Sequence, residues 1–185
     1  MADILLETIH GSRLYGLARP DSDTDTYRVV LGGQTRQHVS PVHGTDVLTV
    51  TLPDFLTYVA QGSHQALEAL WSPIKTVDSR YAPLFAGLHP DLANATSRYV
   101  GAIINMGTQH GKTRITGYSQ ITMKYRRHML RLASNLRDLF CTGGFNPVCD
   151  ASTVTWLDET AASDRDTFVH ALTTTCPVTL EGLPF

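Results

Sequence analysis

The chain has no apolar run long enough to cross a membrane. Its opening residues, Met1-Ala2-Asp3-Ile4, lack the basic stretch that begins a signal peptide. A cytoplasmic protein is therefore expected, in the host cytoplasm if the gene is a phage's. Cysteine is scarce: Cys141, Cys149 and Cys176 are odd in number and without metal-ligand spacing, which points to a reduced protein and away from a disulfide framework or a zinc site. Eight histidines form no H-E-x-x-H or comparable cluster, so they are expected in loops or partly buried. An excess of one charge is missing too. A net charge of −2 and a pI near 6.4 exclude a dedicated, non-specific nucleic-acid binder. There is no internal repeat or low-complexity segment. What is present is 185 residues, 42% hydrophobic, enough to bury a core as one domain or as a catalytic domain with a helical appendage.

The balanced total hides an uneven distribution. The first 54 residues carry seven acids (Asp3, Glu7, Asp21, Asp23, Asp25, Asp46, Asp54) against four arginines. Between Lys112 and Phe140 lie seven of the fifteen basic residues, with Asp138 the only acid. Such an asymmetry suits an acidic, metal-binding part and a basic helical part facing each other across a cleft that holds a polyphosphate.

Within the acidic part, His10-Gly11-Ser12-Arg13-Leu14-Tyr15-Gly16 is followed by Ser22-Asp23-Thr24-Asp25. In a strand, residues i and i+2 share a face, so Asp23 and Asp25 are expected side by side. Two hard carboxylates there suit Mg²⁺ or Mn²⁺, and Mg²⁺ binds through one or two carboxylates plus phosphate oxygens. Gly11 permits close backbone approach to phosphate, and Ser12 offers a hydroxyl and an N–H. Arg13 adds a cation inside the turn, and Gly16 closes it. The competing reading is a surface turn before an acidic loop, but Tyr27, Val29, Val30 and Leu31 continue the stretch as a strand.

Farther on, Lys124, Arg127 and Arg131 fall at i, i+3 and i+7 of a long amphipathic segment, with His128 beside them. A cationic stripe on a helix suits phosphates and departing pyrophosphate. The alternative is a solvated basic face.

Gly-Ser, Tyr-Gly shortly after and Ser-Asp-x-Asp together resemble the signature of the DNA polymerase β-like nucleotidyltransferase superfamily. Gly11-Ser12-Arg13-Leu14-Tyr15-Gly16 with Ser22-Asp23-Thr24-Asp25 is most similar to its RNA-ligase-associated group, common in bacteria and phages. The resemblance implies a third carboxylate on a neighbouring strand. Asp46, opening Asp46-Val47-Leu48-Thr49-Val50-Thr51-Leu52, is preferred to Asp54, which follows Pro53 and reads as the first turn of a helix. It also implies a helix pair ending in Leu-Glu-x-Leu, matched by Leu67-Glu68-Ala69-Leu70, and the Lys124, His128 and Arg131-Leu132 pattern. Between the paired helices the group has Gly-Asn-Pro where this chain has Gly62-Ser63-His64, with Ser63 able to cap the second helix. The similarity runs from about Ile9 to Gly143.

The implied fold is α+β: a small mixed sheet of about three to five strands followed by a helical portion. Residues 1–75 are expected to form the catalytic core, 76–144 the helical portion completing the nucleotide site, and 145–185 an extension of unassigned role. Strands are expected at Ile4–Ile9, Asp25–Leu31 and Asp46–Leu52. Helices are expected near Ser12–Leu17, Asp54–Gln61, Ser63–Trp71, Arg80–Ala86, Leu92–Gln109 and Tyr118–Phe140, with a break at Gly111–Gly117. Trp71 and Trp156 are expected as core anchors; Tyr15 and Tyr27 either pack beside the sheet or stack on a base.

The implied activity is transfer of a nucleoside monophosphate from a nucleoside triphosphate to a hydroxyl, releasing pyrophosphate. Asp23, Asp25 and Asp46 would hold metal; Gly11, Ser12, Arg13, Lys124, Arg127, His128 and Arg131 would bind phosphate. RNA, including tRNA, is the acceptor class the resemblance points to, with no membrane partner. Three alternatives stay open: modification of a protein or small molecule, synthesis of a nucleotide second messenger, and a non-catalytic antitoxin-like module. Oligomeric state is not legible.

Overall fold

A computed structural model describes residues 3–39, 45–115 and 119–181, side chains at 45 and 110–121 excepted. The fold is α+β: a five-stranded mixed sheet with helices, followed by a helical portion. Two compact units result, one made of Met1–Asp91 with Asn146–Cys149, the other of Leu92–Phe145 with Asp150–Phe185.

In the first unit the strands are β1 (Asp3–His10), β2 (Thr24–Leu31), β3 (Arg36–His38), β4 (Thr45–Thr51) and β5 (Thr76–Val77), in spatial order β3-β4-β2-β1-β5. Among the described residues only β2 and β4 run parallel; the other neighbours are antiparallel. The register separates the faces. Leu6, Thr8 and His10 of β1 pair with Val29, Tyr27 and Asp25 of β2, and these pair with Val50, Leu48 and Asp46 of β4. Leu6, Tyr27, Val29 and Val50 are buried, and Tyr27 meets Phe55 of α2 (Leu52–Ala60) edge-on at 6.1 Å. The opposite face is more polar, with Arg28 Nε 2.5 Å from the Glu7 carboxylate of its cross-strand partner. Alternating apolar and polar residues therefore produce a half-covered sheet, as period-two patterning requires.

The short helix α1 (Gly11–Tyr15) links β1 towards β2 and ends at Gly16, whose positive φ of 75° and N–H bond to the Ser12 carbonyl form a left-handed cap. Helix α2 starts as expected, with Pro53 in the first turn and Thr51 Oγ1 accepting from the Asp54 N–H at 3.3 Å. Gly62, at φ 69°, makes the turn into α3 (His64–Trp71). Ser63 does not cap α3 with its hydroxyl, contrary to expectation; its carbonyl instead accepts the Leu67 N–H at 3.0 Å. Helix α4 (Ala82–Ala86) completes this unit.

The second unit consists of α5 (Leu92–Ile115), α6 (Ser119–Thr142), α7 (Ala151–Ala162) and α8 (Arg165–Thr175) among the described residues. Helix α5 carries through Gly111 to Ile115, so the expected break at Gly111–Gly117 is not found over 111–115; residues 116–118 lie outside the described ones. A helix stabilised by packing along its length tolerates interior glycines, here Gly101, Gly107 and Gly111, at a cost of about 1 kcal/mol each. Ala95, Tyr99 and Ile103 form the buried stripe of α5, and α5 packs on α6, whose buried residues include Met129, Leu132, Ala133 and Leu136. Helix α6 stops at Gly143, φ 78°, whose N–H returns to the Leu139 carbonyl at 2.9 Å. Both α7 and α8 pack on α6, burying Leu157, Ala161, Phe168 and Leu172. Trp71 and Trp156 are only half-buried, so they are not the core anchors expected; Tyr27, Phe55, Tyr99 and Phe168 are. No described helix is long and apolar enough to cross a membrane.

Candidate active site

The strand register brings three polar side chains abreast at one end of the helix-covered sheet face. His10 closes β1, Asp25 stands second in β2 and Asp46 second in β4; His10 pairs with Asp25, and Asp25 pairs with Asp46. Residues paired across adjacent strands project to the same face. Asp25 and Asp46, twenty-one positions apart in sequence, thus become neighbours through the parallel β2–β4 pair. Both are half-buried.

Gly11 is held against Asp25. A Cβ built on Gly11 would stand 2.2 Å from Asp25 Oδ2, well inside van der Waals contact, and Gly11 has φ 67°. Any side chain here would displace the carboxylate and strain the backbone. The sequence places these residues fourteen apart; the fold brings the turn's main chain onto the acid. The turn's far end is equally confined. Cys149 N–H donates to the Tyr15 carbonyl at 3.2 Å, and a Cβ on Gly16 would meet the Cys149 carbonyl at 3.3 Å.

Asp23 lies one residue before β2 and is exposed, so it is not on the strand beside Asp25 as the i, i+2 argument expects. The Arg13 guanidinium explains how this loop is fixed: it donates to the Ser22 carbonyl at 2.6 Å and the Asp23 carbonyl at 3.2 Å. Here Arg13 ties α1 to the acid-bearing loop. Ser22 Oγ accepts the Arg19 N–H at 2.8 Å, tightening the same loop. Ser12 is half-buried, and its carbonyl accepts from Leu17 at 2.9 Å as well as from Gly16.

Among the described residues, no group of three or more His, Cys, Asp or Glu side chains is arranged to hold a metal ion. The donor set at this end of the sheet fits Mg²⁺ in a different way. Two hard carboxylates on paired strands can share an octahedral ion whose other positions are filled by phosphate and water oxygens, as Mg²⁺ prefers.

Asp54, the competitor for third acid, is committed elsewhere. Its carboxylate accepts from Thr35 Oγ1 and, at 2.9 Å, from Thr51 Oγ1, and these bonds hold it below the usual carboxylate range. Tyr15 and Tyr27 are both buried, so packing and not base stacking is what they do here. Burial, then the neighbouring Tyr58, pushes the Tyr27 hydroxyl above its ordinary value.

Sequence reading gives Glu68 a place in the Leu-Glu-x-Leu match but no role at the site. It is fully buried on α3, and its Oε2 accepts from Tyr15 Oη at 2.5 Å and lies 3.2 Å from His10 Nε2. An acid set inside Ala66-Leu67-Glu68-Ala69-Leu70, apolar on both sides, was the available signal: a charge on a buried helix surface needs partners.

The cations singled out in the sequence belong to the helical unit. Lys124 is exposed and His128 half-buried. Arg127 Nε meets Asp158 Oδ1 of α7 at 2.5 Å. Arg131 is only 3% exposed, inside the α6 packing surface. Next to them, Arg126 donates to the carbonyls of Ala161 at 3.0 Å and Ser163 at 2.7 Å, and its guanidinium lies 4.6 Å over the Phe168 ring. This caps the carbonyl end of α7 and fastens α8. Lys112 and Arg114 fall where side chains are not described.

A scan against protein-family models finds no match to this chain, and a search of curated proteins finds none either.

Proposed function

We propose that the chain is a metal-dependent nucleotidyltransferase of the DNA polymerase β-like type, moving a nucleoside monophosphate from a nucleoside triphosphate to a hydroxyl acceptor. What supports the reading most is one juxtaposition. Asp25 and Asp46 are paired across parallel strands, and the Asp25 carboxylate lies where a Gly11 side chain would be. A motif glycine, a motif acid and the expected third acid thus meet at one place, though the sequence scatters them over thirty-six positions.

In the reaction, the acceptor hydroxyl oxygen forms a bond to the α-phosphorus. The bond from that phosphorus to the bridging oxygen breaks, and pyrophosphate leaves with the electron pair. Asp46 would take the hydroxyl proton, directly or through one water. Asp25 and Asp46, with Asp23 of the preceding loop, would hold Mg²⁺ or Mn²⁺. The ion, when bound, neutralises phosphate charge as a Lewis acid. Gly11 and Ser12 present main-chain groups to the phosphates, and the Ser12 hydroxyl adds a donor. Arg13 contributes by fixing the Ser22–Asp23 loop through its two carbonyl bonds.

RNA is the acceptor class we favour, on the resemblance of the Gly-Ser and Ser-Asp-x-Asp stretches. The test is incubation with Mg²⁺ and each α-labelled nucleoside triphosphate, with and without bulk tRNA. Label on RNA supports this reading. Label on the protein itself supports protein modification, and free oligonucleotide supports second-messenger synthesis. No turnover of any triphosphate, with Asp23→Ala retaining biological activity, supports the antitoxin-like module and rejects the enzyme.

A further inference from the structure

The phosphate turn is anchored at both ends by one buried carboxylate. His10 immediately precedes Gly11, and Tyr15 ends α1; both reach Glu68 Oε2, at 3.2 and 2.5 Å. Glu68 has no exposed surface, whereas the turn it grips carries half-exposed residues. The His10 ring is boxed by Tyr15 at 6.0 Å and Tyr27 at 5.7 Å, so its Nε2 has little freedom to find another acceptor. One position of β1 away on the same face, Thr8 Oγ1 lies 2.7 Å from Ser72 Oγ, also buried. Thr8 and His10 stand at i and i+2 of the strand, Glu68 lies in α3 and Ser72 is the residue that caps its end, so two polar contacts fix the register of α3 on β1.

Placing a carboxylate where water cannot reach it is costly unless its hydrogen bonds are met, and an apolar residue would fill the same space without that cost. A structural need for packing alone does not call for an acid here. The Thr8–Ser72 contact already sets the helix on the strand. What Glu68 adds is a carboxylate oxygen that accepts from Tyr15 and stands 3.2 Å from His10 Nε2, on either side of a turn whose Gly11 lies against the Asp25 carboxylate.

We propose that Glu68 is a positioning residue for the candidate active site: it pins His10 and Tyr15 together, and so holds the Gly11–Ser12 turn in the shape that phosphate binding uses. The proposal rests on the nucleotidyltransferase reading for its functional consequence but not for its structural one. Each has its own readout.

The structural readout is amide hydrogen exchange at Gly16 and Leu17, whose N–H groups both bond the Ser12 carbonyl. In the full-length protein, Glu68→Met and Tyr15→Phe should speed exchange at these two amides about tenfold or more, because the turn then opens locally. Glu68→Gln, whose amide oxygen can still accept, should restore protection to within about threefold. Thr8→Val is the control: it loosens α3 on β1 without touching the turn, so it should lower Tm yet leave these two amides protected. Tyr15→Phe keeps the ring and folds even if Glu68→Met does not.

The functional readout is affinity for manganese with a non-hydrolysable ATP analogue. Glu68→Met and Tyr15→Phe should weaken it by roughly tenfold, since loosening a binding loop adds an ordering cost to binding, while Glu68→Gln and Thr8→Val stay within about twofold of wild type. Unchanged exchange at Gly16 and Leu17 in Tyr15→Phe overturns the proposal. So does a loss of Tm in Glu68→Met with affinity and exchange both held, which would make Glu68 a core residue only. If wild type binds no manganese–nucleotide while exchange follows the expected pattern, the nucleotide reading fails and the anchoring stands.

Discussion

The sheet unit and the helical unit use their charges in opposite ways. In the sheet unit, Asp25 and Asp46 sit abreast at a strand end, and the Arg13 and Glu68 contacts hold the segments around them. In the helical unit, Arg126 and Arg127 serve the unit's own assembly: Arg126 caps α7 and covers Phe168, and Arg127 pairs with Asp158. The two stretches look equally functional in sequence, one acidic and one basic. The difference teaches that charges clustered in sequence can be spent on packing in one unit and stay grouped at a strand end in the other. A long helix with a later partner helix can consume a basic face that looks solvated when read alone.

That contrast can be broken by mutation, and the largest effect is expected in the helical unit. Phe168 is fully buried beneath the Arg126 guanidinium. Phe168→Ala should cost about 3–5 kcal/mol in urea unfolding, as large-to-small core changes do. If the units divide their labour as described, manganese affinity should hold in the folded fraction; loss of affinity matching the loss of stability would erase the distinction.

Gly11→Ala is the counterpart in the sheet unit. The added methyl meets Asp25 Oδ2 at 2.2 Å. Nucleotidyl transfer should fall by about 100-fold or more, because small displacements of a reacting group cost that much. The fall in Tm should be small beside that of Phe168→Ala. Near-wild-type turnover in Gly11→Ala would show that the close approach to Asp25 serves nothing catalytic.

A double-mutant cycle on Arg127 and Asp158 sharpens the helical half. Their contact is part-shielded, and the coupling should be about 1 kcal/mol. Arg127→Ala and Asp158→Ala should lower stability by similar amounts. An Asp158→Ala that is stable, with Arg127→Ala impaired only in triphosphate KM, would return Arg127 to the role its sequence pattern suggests.

The smallest effect concerns pH. Asp54 and Asp164 are each held below the ordinary carboxylate range by hydrogen bonds, Asp54 from Thr35 and Thr51, Asp164 from Thr167. A folded value below the unfolded one means that the stabilisation is fully present above the unfolded pKa of about 3.9 and is lost as pH falls through the lower folded value. Thermal melts from pH 5 downwards should therefore show Asp54→Asn and Asp164→Asn converging on wild type at the acid end, with their largest deficit at pH 5. Parallel curves over that range would contradict the assignment.

Much of this arrangement is legible in the sequence because its signals are local. Pro53 and Asp54 mark the start of α2, Gly16 and Gly143 stop α1 and α6, and the period-two runs give β1, β2 and β4 nearly to their ends. The edge strands β3 and β5 escape because they are three and two residues long, and Arg36–His38 is exposed throughout, leaving no alternation to read. The tail after Gly144 resists because helices α7 and α8 carry short apolar stripes, Leu157 with Ala161 and Phe168 with Leu172, that make sense only on α6. At the site, spacing anticipates Asp25 and Gly11, but their contact depends on how the turn folds back. Asp46 was reached through resemblance, and its pairing with Asp25 comes from the parallel register. Glu68 stands out by its apolar flanks; that it accepts from Tyr15 and stands beside His10, on either side of Gly11–Leu14, depends on how α3 docks.

The most direct test of the central claim is single-turnover transfer from α-labelled nucleoside triphosphate in Mg²⁺, comparing wild type with Asp25→Asn. The substitution keeps the side-chain volume beside Gly11 and removes the charge. We predict measurable transfer by wild type and a loss on the order of 1000-fold in Asp25→Asn, the scale seen when preorganised electrostatic stabilisation is removed, with Tm essentially unchanged. Equal transfer by the two proteins, or none by wild type with any nucleoside triphosphate, would contradict the account.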